Sequence, residues 1–320
     1  MDNKRTNPNK DICEKLLEIA KYEESVNRNI FKGRAYRKAV KTISELNYRL
    51  KSGKEAVKLP SIGKSIAAKI DEFLEIGEMN KITSIHNNER FFSLEQLQRV
   101  SGIGPVFANR LVDTGIKNIE ELEKNTHLLN SHQKLGLKYL LEFEQKIPRS
   151  EVEEIERFIL KSAKLVNTTI DLTICGSYRR GCSESGDVDV LVTDKRNKNF
   201  LPLLVQSLQN SSFITDTIAQ GDNKFMGVCR LSENHLHRRI DIRFFPKSQY
   251  YCGILYFTGS SLFNQEMRKH ALAQGFTLSE YSLRKFGSTG VPGEDLPITS
   301  EKEIFDYIHF PYKEPVERDW

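Results

Sequence analysis

Gly186-Asp187-Val188-Asp189-Val190-Leu191-Val192 is the stretch on which the reading of this chain turns. Side chains two apart on an extended strand share a face, so Asp187 and Asp189 converge while Val188 and Val190 enter a core. Further on, Arg239-Ile240-Asp241-Ile242-Arg243 repeats the alternation and places Asp241 with Arg239 and Arg243 on a polar face. A helix expected from Glu151 to about Val166 leads into Leu172-Thr173-Ile174-Cys175-Gly176, and apolar runs over Val188–Thr193, Phe225–Leu231 and Arg239–Phe245 then read as strands. Together these predict an α+β unit built on a sheet.

Beyond Tyr250 the chain mixes a helix over Leu262–Gln274, short strands within Thr277–Leu283 and a turn at Val291-Pro292-Gly293, which reads as a smaller α/β subdomain. Before the sheet the grammar is helical. From Lys10 to about Met79, Ile12, Leu16, Leu17 and Ile19 form one apolar stripe and Ile66, Ile70 and Phe73 another. Breaks at Gly33, Ser52-Gly53 and Leu59-Pro60-Ser61-Ile62-Gly63 separate four helices. Residues 81 to about 145 are helical again, interrupted at Val100-Ser101-Gly102-Ile103-Gly104-Pro105 and around Gly115, and Ile147-Pro148 marks the passage into the sheet. The fold class is thus α+β and multidomain, divided at 1–84, 85–146, 147–247 and 248–320.

The 320 residues are 38% hydrophobic and 28% charged, without a low-complexity tract, so a globular chain of several parts is expected and only the polar start, Met1–Asn9, reads as disordered. No apolar run approaches the roughly 18 residues that span a bilayer, and no signal-peptide core opens the chain. A soluble intracellular protein follows, in the nucleus, or in the cytoplasm if viral. The five cysteines, Cys13, Cys175, Cys182, Cys229 and Cys252, form no C-x-x-C pair and read as reduced, buried thiols. Net charge is +5, and residues 1–90 carry 19 Lys and Arg against 13 Asp and Glu, an excess suited to phosphate backbones or acidic lipid.

Two segments repeat: Leu59-Pro60-Ser61-Ile62-Gly63-Lys64 and Val100-Ser101-Gly102-Ile103-Gly104-Pro105, each between helices. Such a hairpin can be a mere packing corner. It can also offer successive N–H groups beside a helix N-terminus to a DNA phosphate without reading any base, glycine allowing the close approach. Two of them in a basic region favour DNA, with Gly102 and Gly104 at the contact. Backbone carbonyls of Leu59, Ile62, Val100 and Ile103 are candidates for a monovalent cation, Na⁺ or K⁺.

The pair Asp187 and Asp189, joined by Asp241, needs positive charge between its members. Carboxylate oxygens with room for water and phosphate suit Mg²⁺, with Mn²⁺ as a substitute, rather than zinc. Two such ions about 3.5–4 Å apart would activate a sugar hydroxyl and stabilise a leaving pyrophosphate. A lone D-x-D is commonly a solvated surface strand. Here Gly176-Ser177-Tyr178-Arg179-Arg180-Gly181 lies just upstream, offering N–H and hydroxyl donors and the Arg180 charge to a nucleotide's phosphates. Nucleotidyl transfer is the chemistry this combination points to.

These residues resemble the family X DNA polymerases, of the DNA polymerase beta type, over essentially the whole chain from Ala35-Tyr36-Arg37-Lys38 to Ile304-Phe305-Asp306-Tyr307. Gly176–Val192, Arg238–Arg243 and Tyr250–Ser260 are the most specific segments. The resemblance implies an N-terminal lyase-type helical domain with helix-hairpin-helix motifs, a nucleotidyltransferase-type palm and a nucleotide-selection subdomain. It implies a template-directed polymerase that fills short gaps in base excision repair by two-metal transfer to a primer 3′-hydroxyl. Asp187 and Asp189 would ligate both metals, and Asp241 the catalytic one. Ser177, Arg180 and Gly186 would bind the triphosphate, with Lys146 where an arginine is usual, a charge without the planar fork. Tyr256, Phe257 and Gly259 would press on the sugar, and Asn264 and Arg268 would contact the new pair and the template, with Tyr281 and Arg239 among the DNA contacts. Partners would be gapped or nicked double-stranded DNA and a dNTP, and a DNA ligase or other repair proteins, with the chain a monomer.

The same resemblance implies a second activity, removal of 5′-deoxyribose phosphate with Lys69 as Schiff-base nucleophile. A lysine amine attacks an aldehyde only when neutral, so its site must lower its pKa. Lys32, Tyr36, Lys64 and Lys81 would surround it and grip DNA. Phe31, Ser65 and Ala68 depart from the usual histidine, lysine and glutamate there, and Ser261 and Gln265 replace an aspartate and a lysine near the nascent pair. Alternatives are a nucleotidyltransferase acting on RNA ends or a small molecule, and a non-catalytic DNA-end scaffold.

Overall fold

A computed structural model describes residues 7–196, 198–288 and 290–318. The chain divides into two compact units after Gln133.

In the first unit helices run Lys10–Ser25, Ile30–Ser44, Gly53–Ala56, Lys64–Ile76, Asn80–His86, Glu89–Gln98, Pro105–Asp113 and Ile119–Lys124. Asn29, Ser52, Asn88 and Asn118 cap four of them by accepting an N–H three residues on, which is why those helices start where they do. Ile12, Leu16, Ile19, Ile66 and Ile70 meet in one core, as the stripes require, whereas Leu17 is half-buried. Two expectations are corrected. Gly33 does not break a helix; it lies inside Ile30–Ser44, where the Glu24 side chain lies so close that a Cβ at Gly33 would clash with it. The break falls at Val26–Asn29, with Arg28 left-handed at φ 53°. And of the polar start, residues 1–6 lie outside the described residues, while Asn9 is fully buried, accepting the Leu50 N–H at 2.9 Å and donating to the Tyr48 carbonyl at 2.9 Å. A side-chain amide satisfied at both ends by distant backbone pins that segment.

Ten strands occur among the described residues. In the second unit β1 (Ile147–Pro148) pairs with β3 (Glu184–Ser185). The main sheet contains β2 (Ile170–Ile174), β4 (Val188–Asp194), β5 (Ile214–Gln220), β6 (Lys224–Cys229) and β7 (Arg238–Phe244), in the order β2-β4-β7-β6-β5. Only β4 and β7 are parallel. Along β7 burial alternates strictly from Arg238 to Phe244, with Ile240, Ile242 and Phe244 inward and Arg239, Asp241 and Arg243 outward. Arg238 is the inward-facing charge, and Glu151 satisfies it with two contacts of 2.7 Å. Helices Arg149–Val166 and Leu201–Asn210 cover the inner face through Val152, Ile155, Leu204 and Leu208.

The final subdomain has its own core around Phe263, Met267, Leu283 and Phe305. It holds helices Tyr250–Thr258, Ser261–Ala273 and Glu301–Tyr307 and the sheet β8 (Phe276–Leu278), β9 (Leu283–Phe286) and β10 (Pro292–Asp295), in the order β10-β9-β8. Pro292 and Gly293, read from sequence as a turn, instead begin an edge strand against β9; proline is tolerated at a strand's first residue because no ladder N–H is needed there. The α+β, multidomain fold class holds. No disulfide joins any of the five cysteines, and Cys182 is only half-buried, unlike the other four. No helix of the described residues is long and apolar enough to cross a membrane.

Candidate functional site

Parallel pairing of β4 with β7 sets Asp189 opposite Asp241 in register, on the outward face of both strands. Asp187 precedes β4 and ion-pairs with Arg239. Burial and the nearby Asp187 and Asp241 charges push the Asp189 carboxyl up to about 7. Asp241 is also raised, chiefly by burial, with Lys224 and Arg243 opposing. Among the described residues no three acidic, imidazole or thiol groups form a ready-made metal cluster; strand register sets Asp189 beside Asp241, and Asp187 is paired with Arg239.

A cleft of about 440 Å³ opens beside this pair. One wall is the turn after β2: Gly176, at φ 57°, passes so close to Asp189 that a Cβ there would fall 2.5 Å from Asp189 Oδ2. Ser177 Oγ donates to Ser185 Oγ at 3.0 Å, and Arg180 Nη1 donates to the Thr258 carbonyl at 2.7 Å. The other wall is the end of helix Tyr250–Thr258 and the start of the next: Tyr256, Phe257, Gly259, Asn264 and Arg268. Asn264 Nδ2 donates to the Tyr256 carbonyl at 2.7 Å, and the Arg268 guanidinium lies 4.9 Å from the Tyr256 ring centre. Ser261 and Gln265 line the cleft as well. Asp187 and Asp189 face it, whereas Asp241, Gly186 and Lys146 are not among its lining residues. The Lys146 amine nevertheless approaches Gly186, 3.6 Å from where a Cβ would stand. Tyr281 packs its ring 5.8 Å from that of Phe245, and half of it remains exposed. The Arg243 guanidinium stacks 4.7 Å from the Phe257 ring, its Nε buried without a hydrogen bond.

The first unit carries the other candidate centre. Lys69, on helix Lys64–Ile76, is half-buried with its amine 3.3 Å from both the Ser65 hydroxyl and carbonyl. Burial lowers its pKa first, then the Lys32 and Lys81 charges. Lys64, by contrast, is exposed at the start of the helix. Lys32 donates to Glu23 at 2.7 Å, Tyr36 is buried, and the Lys81 amine sits 4.4 Å over the Tyr22 ring. Glu23 escaped the sequence reading, although an acid four residues after Ile19 on an apolar stripe could have signalled it. Its side chain is 2% exposed.

The two hairpins repeat in three dimensions. Gly63 and Gly104 precede their helices with nearly the same backbone, φ −86°, ψ 169° and φ −88°, ψ 173°, and a Cβ on either would meet nothing within 4 Å. The tight turn itself lies two residues earlier, at Ser61 (φ 63°) and Gly102 (φ 90°), so in the first hairpin a serine, not a glycine, takes the left-handed position. Leu59 and Val100 carbonyls accept the N–H groups of Ile62 and Ile103 at 3.4 and 3.0 Å. The Gly102 carbonyl accepts from Gln133 at 3.1 Å, and His132 packs on Gly102.

Four family models match in chain order: "Helix-hairpin-helix domain" over 7–79, "Fingers domain of DNA polymerase lambda" over 95–144, "DNA polymerase beta palm" over 146–247 and "DNA polymerase beta thumb" over 253–319. The chain is 36% identical over 333 residues to DNA polymerase lambda of Rattus norvegicus, covering 99% of this chain and 57% of that protein. It is 30% identical over 304 residues to DNA polymerase lambda of Arabidopsis thaliana, covering 89% and 57%. A third relative, DNA nucleotidylexotransferase of Xenopus laevis, is 27% identical over 350 residues, covering 97% and 67%. The chain thus spans little more than half the length of the two polymerase lambda relatives.

Proposed function

The chain belongs to the family X DNA polymerases, and from that premise we propose that it is a template-directed DNA polymerase that fills short gaps in base excision repair. The observation that carries this reading is the register of Asp189 with Asp241 beside a cleft walled by the Gly176–Arg180 turn and by Tyr256 and Phe257. Phosphate donors, acidic oxygens and an aromatic sugar wall meet at one place.

The residues fit a pair of divalent cations. Asp189 and Asp241 are acids raised by burial and by the Asp187 charge, and an ion between hard carboxylate oxygens would relieve both. Mg²⁺ held by Asp187, Asp189 and Asp241 would supply charge stabilisation and an activated hydroxyl, Mn²⁺ serving in its place. Asp241 would take the proton of the primer 3′-hydroxyl. Ser177, Arg180, Gly186 and Lys146 would orient the triphosphate, and Tyr256, Phe257 and Gly259 would crowd the sugar's 2′ position. Asn264, Arg268, Tyr281 and Arg239 would hold the new pair and duplex.

In the first unit Lys69 would form an imine with an incised abasic sugar, its pKa lowered by burial and then by the Lys32 and Lys81 charges. The two hairpins would hold duplex phosphates, with Na⁺ or K⁺ at their carbonyls. We keep the division at 1–84, 85–146, 147–247 and 248–320 for these roles, and an intracellular monomer that hands nicks to a ligase.

Extension on 5′-phosphorylated one-nucleotide-gapped DNA tests the proposal. Templated dNTP addition lost in Asp241→Ala supports it. Transfer to RNA ends only, or DNA binding without extension, would replace it with a non-DNA nucleotidyltransferase or a scaffold.

A further inference from the structure

Thr258 ends the helix that presents Tyr256 and Phe257, and it is fully buried. Two adjacent arginines grip it from the opposite wall: Arg179 Nη1 donates to Thr258 Oγ1 at 2.7 Å, and Arg180 Nη1 donates to its carbonyl at 2.7 Å. Arg179 also holds Glu301, Nη2 to Oε2 at 2.7 Å and Nη1 to Oε1 at 3.2 Å. Glu301 is shared with Arg318, whose side chain is wholly buried, lies over Phe263 and Phe305, and is fixed to the Lys313 carbonyl at 3.0 and 2.7 Å. The Arg318 carbonyl then accepts the Ser260 N–H at 3.2 Å. The segment 258–260 is therefore fastened by its hydroxyl, by a carbonyl and by an N–H.

Arg179, Glu301 and Arg318 do not line the cleft. Packing alone does not call for two arginines around one carboxylate, since apolar residues of similar volume fill such a site as well or better. What the network does provide is position. A wall that rejects a 2′-hydroxyl discriminates by one oxygen atom, and it works only if it does not yield, which demands that its own supports be locked.

We propose that Arg179, Thr258 and Glu301 are positioning residues for sugar discrimination: the Arg179–Thr258 hydrogen bond, braced through Glu301 and Arg318, holds Tyr256 and Phe257 against the nucleotide's 2′ position. The inference rests on the polymerase reading above. The hydroxyl is the working group, so Thr258→Val removes it while leaving Arg179 paired with Glu301, and Thr258→Ser restores it. Glu301→Gln loosens the brace from its far side.

The measurement is kcat/KM for a dNTP and the matching rNTP opposite the same template base on gapped DNA, alongside melting temperature. In Thr258→Val the dNTP preference falls about tenfold, the scale of one charge-assisted hydrogen bond, mostly through the ribonucleotide's KM; Thr258→Ser keeps the wild-type ratio and Glu301→Gln shifts it in the direction of Thr258→Val. An unchanged ratio in Thr258→Val, or equal losses for both nucleotides, overturns the inference while leaving the polymerase standing. A wild-type protein that incorporates neither nucleotide overturns the polymerase reading itself.

Discussion

Asp189 and Asp241 are register partners across the parallel strands β4 and β7. Adjacent strands lie about 4.8 Å apart, so two outward side chains in register stand side by side. Burial does most to raise the proton affinity of both, and the Asp187 charge raises each further, with Asp241 adding to the rise at Asp189.

Replacing Asp241 by Ala removes one of these acids without touching the core beneath, since Ile240 and Ile242 face the other way. Single-turnover extension should fall by roughly 10³-fold or more, the several kcal/mol at stake where a metal and a proton acceptor are lost together. Gapped-DNA binding by fluorescence anisotropy should change little.

The pKa of Asp189 gives a sign for stability. Its folded value, about 7, lies above the ordinary 3.8, so between those values the folded chain binds more protons than the unfolded one. In metal-free protein, thermal stability should therefore fall as pH rises from about 4 to 7, and Asp189→Asn should flatten this part of the profile. Saturating Mg²⁺ should raise the melting temperature more at pH 8, above the Asp189 value, than at pH 5.

Gly176 combines a left-handed φ with an Asp189 oxygen where a Cβ would be. Gly176→Ala should cost about 1–3 kcal/mol, read by urea unfolding, and extension should drop further than stability explains because Asp189 must move.

Lys69 should be trapped on an incised abasic site by borohydride, and Lys69→Ala should abolish the adduct. Because burial and the Lys32 and Lys81 charges depress its pKa, imine formation should reach half-maximum at a pH below the ordinary lysine value of 10.5. Trapping that survives Lys69→Ala would remove this site from consideration.

Asn9→Ala strips one buried and one partly buried hydrogen bond at once. A loss of about 1–3 kcal/mol is expected in the first unit, read by chemical denaturation, with no effect on Mg²⁺ binding.

Period-two alternation was enough to place Asp189 and Asp241 on outward faces of strands, and period-3.6 stripes were enough for the N-terminal core, because both patterns are consequences of local backbone geometry acting on adjacent side chains. The repeat at 59–64 and 100–105 likewise carried its conformation in short-range sequence. What local pattern could not carry was pairing. β5 went unread in the sequence, as did helix Leu201–Asn210, although Leu201, Leu204, Val205 and Leu208 have helical spacing, and helix Tyr250–Thr258 is rich in aromatics that favour strands. The register that sets Asp189 beside Asp241, the ion pair of Asp187 with Arg239, the burial of Glu23 and the path from Arg179 through Glu301 to Arg318 join residues 9 to 122 positions apart. The sequence thus determined which residues could do chemistry. Only the tertiary structure decided which of them meet, because charge pairing and close packing act through space and are set by the whole fold.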